Sequence, residues 1–182
     1  DTLINVDAQK RQVLIEEFSG VQCVNCPAGS EAIEDLINIH GSRLVAVSIH
    51  SGFFAKPYPE SRYDFRTQRG DDLLNYLGQP LGYPTAVVNR KQFEGEESML
   101  LNRSEWAGYI ASELEAAPKV KIDLKSDYED NNRSLGIDVD LYFQEDIVAD
   151  DIRLTVLITE DKIADFQLTP QGKIGSYSHR HV

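Results

Sequence analysis

The pattern of apolar and polar positions changes near residue 118 of this 182-residue chain. Before that point, the apolar residues Val13-Leu14-Ile15 leading into Phe18, and the mostly apolar residues 44–49, predict buried strands. The segment between them is amphipathic with a helical period, and it ends at Gly41, which is a plausible C-cap residue. A strand, a helix and a strand in this order predict a βαβ unit with parallel strands and a right-handed crossover.

The same region continues with a second group of elements. Residues 85–88 predict a short strand antiparallel to its neighbour, and residues 93–101 predict its hairpin partner. Residues 105–116 predict an amphipathic helix. A long insertion rich in aromatic residues precedes this group, and within it residues 71–77 predict a helix.

Beyond Pro118 the apolar residues alternate with polar ones. The alternating segments at residues 120–124, 135–143 and 152–158 predict antiparallel strands with one wet face. A β-sandwich needs a second sheet, and only a weak segment remains after these strands. We therefore predict an α/β domain with a central mixed sheet flanked by helices at residues 1–117. A small, sandwich-like, truncated or incomplete all-β region follows at residues 118–182.

The apolar face of the predicted β-rich sheet must be covered by something. Two interpretations are open: the sheet packs on the first domain, or it packs on a second copy of the chain and forms a homodimer.

Composition restricts the partners. The formal net charge is -12, from 18 basic and 30 acidic residues, so nucleic acid and a polybasic membrane contact are not expected. No apolar run approaches the roughly 20 residues that span a bilayer. The first residues lack a signal peptide, which fits either a cytoplasmic protein or a chain that begins after a removed signal.

The chemistry of the chain is concentrated in a Cys-x-x-Cys motif, with Cys23 and Cys26 at the start of the first predicted helix. Unpaired N–H groups and the helix dipole favour a thiolate there, and a depressed thiol pKa is expected. The spacing predicts Cys23 as the attacking thiol and Cys26 as the resolving thiol.

Two other interpretations of the cysteine pair are a structural disulfide and half of a zinc site. The zinc site would need His179 and His181 from the far end of the chain. Acidic turns at residues 127–132 and 145–151 make a calcium site conceivable, although the full loop spacing is missing. We predict neither a metal nor a cofactor.

A second feature supports a redox interpretation. The order of the elements, the Cys-x-x-Cys motif and the later Tyr83-Pro84-Thr85 resemble a thioredoxin fold. This resemblance implies a cis peptide bond before Pro84, opposite the cysteines, and a role for Tyr83 and Pro84 in binding an extended substrate segment.

The thioredoxin resemblance also concerns a carboxylate. Thioredoxins carry a buried carboxylate six positions before the first cysteine, so the resemblance implies that Glu17 carries protons to and from Cys26. A solvent-facing strand residue is the alternative. Strand alternation predicts that only one of Glu16 and Glu17 faces inward.

The residues around the motif, EEFSGVQCVNCP, are similar to those of the outer-membrane-protein-28-related family of Gram-negative bacteria. That resemblance implies an exported, periplasmic or outer-membrane-associated protein, with any membrane attachment through an N-terminal anchor that is removed or absent. It also implies a thioredoxin-like N-terminal region and a β-rich C-terminal region. Gln22 stands where thioredoxin has tryptophan, and Val24-Asn25 replaces Gly-Pro, so the redox potential does not transfer.

These observations lead to two functional hypotheses. The first is an exported thiol–disulfide oxidoreductase whose partner is a protein or a small-molecule disulfide or thiol. The second is a non-catalytic, outer-membrane-associated binding module with a structural disulfide. Two local features stay open: His50 either tunes the Cys23 pKa or is structural, and the aromatic insertion is either a lid over the cysteines or ordinary core packing.

Overall fold

The computed structural model describes residues 9–143 and 153–182. Within them the protein has a mixed α/β architecture with one four-stranded mixed sheet and two two-stranded antiparallel sheets. The helices are α1 (Cys26–His40), α2 (Gln68–Leu77) and α3 (Trp106–Glu115). The strands are β1 (Val13–Ser19), β2 (Leu44–His50), β3 (Thr85–Val88), β4 (Leu101–Asn102), β5 (Val120–Glu129), β6 (Ser134–Phe143), β7 (Ile163–Thr169) and β8 (Gly172–His179).

The four-stranded sheet has the order β2-β1-β3-β4. Strand β1 is parallel to β2, with Val13 opposite Leu44, and antiparallel to β3, with Ile15 opposite Val88. The predicted parallel pair, the antiparallel third strand and the helix that ends at Gly41 are confirmed.

Both faces of this sheet are covered. On one face Ile15 packs with apolar residues of α1 and α3, including Ile33 and the fully buried Trp106. On the other face Phe18 packs with Leu74 of α2. Each large apolar side chain buried in this way contributes about 1.5–3 kcal/mol.

Because β1 is covered on both faces, Glu16 and Glu17 are both buried, at 0% and 1% exposure. The prediction that only one of them faces inward is therefore wrong. The Arg90 guanidinium binds Glu16 through both carboxylate oxygens, with Nε–Oε2 at 2.7 Å and Nη2–Oε1 at 2.6 Å. Glu17 lies on the opposite face, against α1.

The hairpin partner of β3 is shorter than predicted. Strand β4 comprises only Leu101–Asn102, and turns precede it where residues 93–100 were predicted to be extended. Phe93 is instead buried and stacks on Tyr109 of α3, with ring centroids 4.0 Å apart. The apolar residues of this segment thus pack individually against neighbouring elements and do not form a strand.

Two compact units are present. One contains Gln12–Leu114 and Leu157–Val182, and the other contains the described residues of Asp1–Arg11 and Glu115–Val156. Residues 157–182, predicted as part of the β-rich region, thus pack with the α/β unit. The reason is the inner face of β7, which buries polar residues rather than apolar ones: Asp165, Gln167 and Thr169.

In the second unit, β5 and β6 form a long hairpin from Val120↔Phe143 to Glu129↔Ser134, and both strands were predicted. The apolar side chains of Ile122, Leu124 and Leu135 on this hairpin are exposed. The third strand, predicted at residues 152–158, is not present in residues 153–158, because residues 153–162 form no strand. Ile152 lies outside the described residues.

The ion pair between Arg90 and the buried Glu16 predicts that removing the arginine lowers the stability of the fold. Arg90→Met leaves the buried Glu16 carboxylate without its guanidinium, and the free energy of unfolding should fall by about 3 kcal/mol. Urea unfolding followed by the fluorescence of Trp106, the single tryptophan, measures this change.

The matched control is Arg133→Met, an exposed arginine with a similar positive φ, 55° against 47° at Arg90. It should change the free energy by no more than about 0.5 kcal/mol. Equal effects of the two substitutions would contradict the role of the ion pair.

Candidate redox site

A disulfide joins Cys23 and Cys26, whose Cα atoms are 5.4 Å apart. Helix α1 begins at Cys26, as predicted, and Pro27 lies in its first turn, where a missing N–H is tolerated. Two tight turns lead into the helix: the Cys23 N–H donates to the Gly20 carbonyl at 3.0 Å, and the Cys26 N–H donates to the Cys23 carbonyl at 3.3 Å. Both sulfurs therefore lie at a helix N-terminus, where unpaired N–H groups favour a negative charge.

Neither sulfur-bearing residue is open to solvent. Cys23 is 3% exposed and Cys26 is 1% exposed, whereas Val24 between them is 39% exposed. The cysteine loop thus presents the residues between the two cysteines outward. The small difference in exposure between the two cysteines does not by itself assign their roles.

The carboxylate, the proline and the cysteine helix meet at Gly29. The Tyr83–Pro84 peptide bond is cis, as predicted. Gly29 is buried in α1, one helical turn after Cys26, and a Cβ atom there would contact Glu17 Oε1 and lie 2.7 Å from Pro84 Cγ. The absence of a side chain at this one position allows Glu17 and Pro84 to pack directly against the backbone of α1.

The environment of Glu17 makes its carboxyl group an unusually weak acid. Its Oε2 atom accepts a long hydrogen bond from Ser48 Oγ at 3.4 Å, and its Oε1 atom has no hydrogen-bond donor among the described residues. Burial raises the pKa of Glu17 to about 8, and the Ser48 hydrogen bond opposes this only weakly. Such a group can give or take a proton near neutral pH.

Tyr83 links the proline to the aromatic insertion. Burial, assisted by the charge of Asp71, raises the pKa of its phenol, and its ring contacts the edge of Phe54 at 5.5 Å. The Phe54 carbonyl accepts the Gln22 N–H at 2.9 Å, so the insertion touches the cysteine loop through its backbone. Phe53 is 86% exposed. The insertion thus packs beside the loop, and several of its aromatic side chains are exposed, Phe53 and Tyr76 most of all.

His50 lies on the Cys26 side of the site. Together with Cys26 and Ser48 it lines a small cavity of about 10 Å³. Its ring contacts those of Phe65 and His179, at 5.0 and 5.5 Å between centroids. Burial, followed by the effect of His179, lowers the pKa of His50 to about 3, so the imidazole is neutral at physiological pH.

One residue that contacts the cysteine loop could not be recognised from the sequence. Gln167 of β7 is buried, and its Nε2 atom donates to the Cys23 carbonyl at 3.0 Å and to the Gly20 carbonyl at 3.2 Å. The neighbouring Leu168 N–H donates to the Val21 carbonyl at 2.7 Å. A glutamine on the inward face of an alternating strand resembles a solvent-facing residue, and no motif distinguishes it.

The zinc alternative does not fit this arrangement, because the two sulfurs are bonded to each other. His179 Nε2 lies 3.2 Å from the Phe166 carbonyl, and His181 Nε2 lies 3.1 Å from Glu34 Oε1. Within residues 9–143 and 153–182, no group of three or more His, Cys, Asp or Glu is arranged to hold a metal ion.

The calcium alternative involved two acidic turns. The first is the turn between β5 and β6, where the Asn132 side chain donates to Glu129 and accepts from Ser134. The second, residues 145–151, lies outside the described residues.

Comparison with known proteins gives the family. A family model for outer membrane protein Omp28 matches residues 74–182, which is more than half of the chain. The chain belongs to the Omp28 family. The Omp28 match includes Pro84 and Gln167, whereas Cys23 and Cys26 lie before it.

Two solved structures resemble this member of the Omp28 family. Protein AGR_C_4864 from Agrobacterium tumefaciens has 16% sequence identity and a TM-score of 0.51, over 96% of this chain and 71% of that one. HBP35 of Porphyromonas gingivalis has 23% identity and a TM-score of 0.46, over 65% of this chain. The chain spans only 38% of the length of that HBP35 structure. No curated protein matches the chain.

The family is named after an outer membrane protein. None of the helices found in residues 9–143 and 153–182 has the length and apolar character needed to cross a membrane.

The close packing at Gly29 predicts that a methyl group at this position destabilises the fold. Gly29→Ala should lower the free energy of unfolding by about 1–3 kcal/mol, because its Cβ overlaps Glu17 Oε1 and the Pro84 ring. The control is Gly108→Ala in α3, where nothing lies within 4 Å of an added Cβ and alanine should stabilise by up to about 1 kcal/mol. Thermal unfolding of both variants tests this, and stabilisation by both would contradict the contact.

Burial of Glu17 predicts a pH-dependent stability. The unfolded chain releases the Glu17 proton above about pH 4.5, and the folded protein retains it to about pH 8, so the wild type loses stability as the pH rises across this interval. Glu17→Gln removes the effect. The stability of Glu17→Gln relative to the wild type should therefore increase from pH 5 to 8, by at most about 5 kcal/mol.

Urea unfolding at several pH values measures this difference. The matched control is Glu31→Gln, which removes an exposed carboxylate from α1. The same pH trend in both variants would contradict a specific effect of Glu17.

Proposed function

We propose that this chain is an exported, thioredoxin-like thiol–disulfide oxidoreductase that works through Cys23 and Cys26. The observation that carries the proposal is the convergence of the disulfide-bearing helix, Glu17 and the cis-proline at Gly29. The order β1-α1-β2 followed by β3-β4-α3 supports a thioredoxin-like assignment of this sheet and its helices.

The proposed reaction is two-step thiol–disulfide exchange. The Cys23 thiolate of the reduced protein attacks one sulfur of a partner disulfide, forms a mixed disulfide and releases the other partner sulfur as a thiolate that takes up a proton. The Cys26 thiol then loses its proton, and its thiolate attacks Cys23 Sγ, which releases the second partner thiol. The partner gains two electrons and two protons, and the Cys23–Cys26 disulfide of the structure is the oxidised product.

Glu17 is the proposed acceptor of the Cys26 proton. It is buried on the face of β1 that contacts α1, one helical turn beyond Cys26. Its pKa of about 8 supports reversible proton exchange with a thiol, whose ordinary pKa is about 8.5.

The proposed substrate surface consists of Tyr83, Pro84 and the residues beside the cysteine loop. Backbone groups next to Pro84 would pair with an extended partner segment. The exposed apolar side chains of Val24 and Phe53 support a partner that carries apolar residues around its cysteine. The proposed partner is a protein or small-molecule disulfide or thiol, and the net charge of -12 argues against nucleic acid.

For location, we propose the periplasm or the outer membrane of a Gram-negative bacterium. The name of the Omp28 family supports this proposal. Attachment would run through an N-terminal anchor, as the sequence resemblance implies.

A homodimer through the β-rich region stays a prediction. A single two-stranded hairpin is marginally stable in water, and the apolar face of β5 and β6 is exposed, which supports a partner for that face. Sedimentation of the purified chain distinguishes a dimer from a monomer.

One observation favours the second hypothesis, a non-catalytic binding module. Both cysteines are at most 3% exposed, as expected of a structural disulfide that no partner approaches. This hypothesis predicts that the reduced protein does not exchange with disulfide partners.

The two hypotheses differ in the behaviour of cysteine variants. Reduced wild-type protein should reduce a disulfide-linked peptide, and Cys23→Ser should lower the rate to that of the uncatalysed reaction, because Cys26 alone cannot attack the partner. Cys26→Ser should accumulate the mixed disulfide on Cys23, visible as a mass increase of one peptide.

Two outcomes of these measurements would contradict the proposed function or the assignment of the two thiols. A wild-type protein that does not exchange with the peptide or with oxidised glutathione, while circular dichroism reports a folded chain, would exclude the oxidoreductase. An adduct on Cys26 in Cys23→Ser would reverse the assignment of the two thiols.

A further inference from the structure

The side-chain amide of Gln167 connects two successive turns of the cysteine loop. The Gly20 carbonyl accepts both the Cys23 N–H and Gln167 Nε2. The Cys23 carbonyl accepts both the Cys26 N–H and the same Nε2 atom. The same Nε2 atom also lies 3.1 Å from the Leu168 carbonyl, so its two hydrogens are shared among three acceptors. Two of these acceptors are the carbonyls of the turns that define the position of Cys23.

The strand that supplies this amide is itself fixed to the α/β unit. Asp165, two residues before Gln167, is buried and accepts the N–H groups of Arg62 and Tyr63 at 3.0 and 2.9 Å. On the other side, the Leu168 N–H binds the Val21 carbonyl at 2.7 Å. Gln167 thus extends from a rigid backbone, and its hydrogen bonds lose little entropy when they form.

A buried glutamine is costly unless its donors are used. Burying a side-chain amide without hydrogen-bond partners is unfavourable, so the buried Gln167 amide stays bound to the carbonyls that accept its hydrogens. The inner face of β7 is polar because it contacts backbone groups of the loops at residues 20–23 and 62–63. This polar face, near the C-terminal end of the sequence, thus forms hydrogen bonds directly with the cysteine loop.

We propose that Gln167 is a positioning residue for the Cys23–Cys26 couple. It keeps the Cys23 backbone in one place when the disulfide is open, so that the two thiols stay at a high effective concentration and ring closure is favoured. Gln167 gives up no proton or electron in this role: the couple interconverts one disulfide with two thiols by uptake of two electrons and two protons. The proposal rests on the proposed function for its biological meaning.

The first test compares Gln167→Met with Gln171→Met. Methionine keeps the length of the side chain and lacks the N–H donors, and Gln171 is exposed in the turn of the same hairpin. Each variant is equilibrated with reduced and oxidised glutathione, and the disulfide fraction is measured by alkylation and mass spectrometry.

Gln167→Met should lower the equilibrium constant for disulfide formation about tenfold, which makes the reduction potential about 30 mV less negative. Its mixed disulfide with glutathione should persist longer, because Cys26 must find a mobile Cys23. Gln171→Met should match the wild type in both measurements. A potential of Gln167→Met equal to that of the wild type would overturn the proposal.

Stability measurements separate this role from support of the fold alone. A purely structural glutamine stabilises the oxidised and the reduced protein equally, so its loss leaves the potential unchanged. The proposal requires Gln167→Met to destabilise the oxidised protein more than the reduced one, by the amount that corresponds to the shift in potential.

A second measurement uses the wild type and does not depend on a variant that folds. Side-chain amide hydrogens of ¹⁵N-glutamine-labelled protein are followed by hydrogen exchange. Those of Gln167 should exchange slowly in both the oxidised and the reduced protein. Exchange as fast as that of Gln171 after reduction would overturn the proposal, because the amide would then not hold the open couple.

The outcomes for function and for Gln167 remain distinguishable. A wild type that never exchanges with partner disulfides excludes the oxidoreductase, yet its disulfide still has a measurable potential. Equal potentials for Gln167→Met and the wild type exclude only the positioning role.

Discussion

The close approach of α1 to the sheet at Gly29 is the constraint on which the candidate site depends. With hydrogen in place of a side chain, the helix backbone comes against both Glu17 of β1 and Pro84 before β3. The same contact sets the position of Cys26 at the start of the helix and so the position of the disulfide. A larger residue would separate the three parts of the site, although it would suit the helix better by propensity alone.

Two neighbouring carboxylates on β1 show how environment separates structural from chemical roles. Glu16 has a bidentate guanidinium partner and serves the fold. Among the described residues, Glu17 accepts one long hydrogen bond from Ser48 and its other oxygen has no donor, and burial raises its pKa to about 8. A buried carboxyl group without a charge partner costs stability, and such costs concentrate at functional sites. The contrast between the two supports the proposed proton-carrying role of Glu17 and a packing role for Glu16.

Much of the α/β unit could be predicted from local signals. The Cys-x-x-Cys motif, the apolar runs of β1 and β2, and Tyr83-Pro84 are each visible in a short window, and the structure has the corresponding disulfide, parallel strands and cis peptide. The features that could not be predicted depend on contacts between segments that are distant in the sequence. The inner face of β7 is polar because its partners are backbone carbonyls and N–H groups, so the usual search for apolar alternation overlooks it. Residues 153–158 alternate well and form no strand, because alternation shows an amphipathic segment and does not show that a neighbouring strand is available to pair with it.

The most direct test of the account is the reduction potential of the wild-type Cys23–Cys26 couple in equilibrium with glutathione. A disulfide at a helix N-terminus, with Glu17 as its proposed proton carrier, should have a potential above about −300 mV, within reach of cellular thiol–disulfide couples. A potential well below that value would identify the bond as an inert structural bridge and contradict the assignment of a redox function to this site.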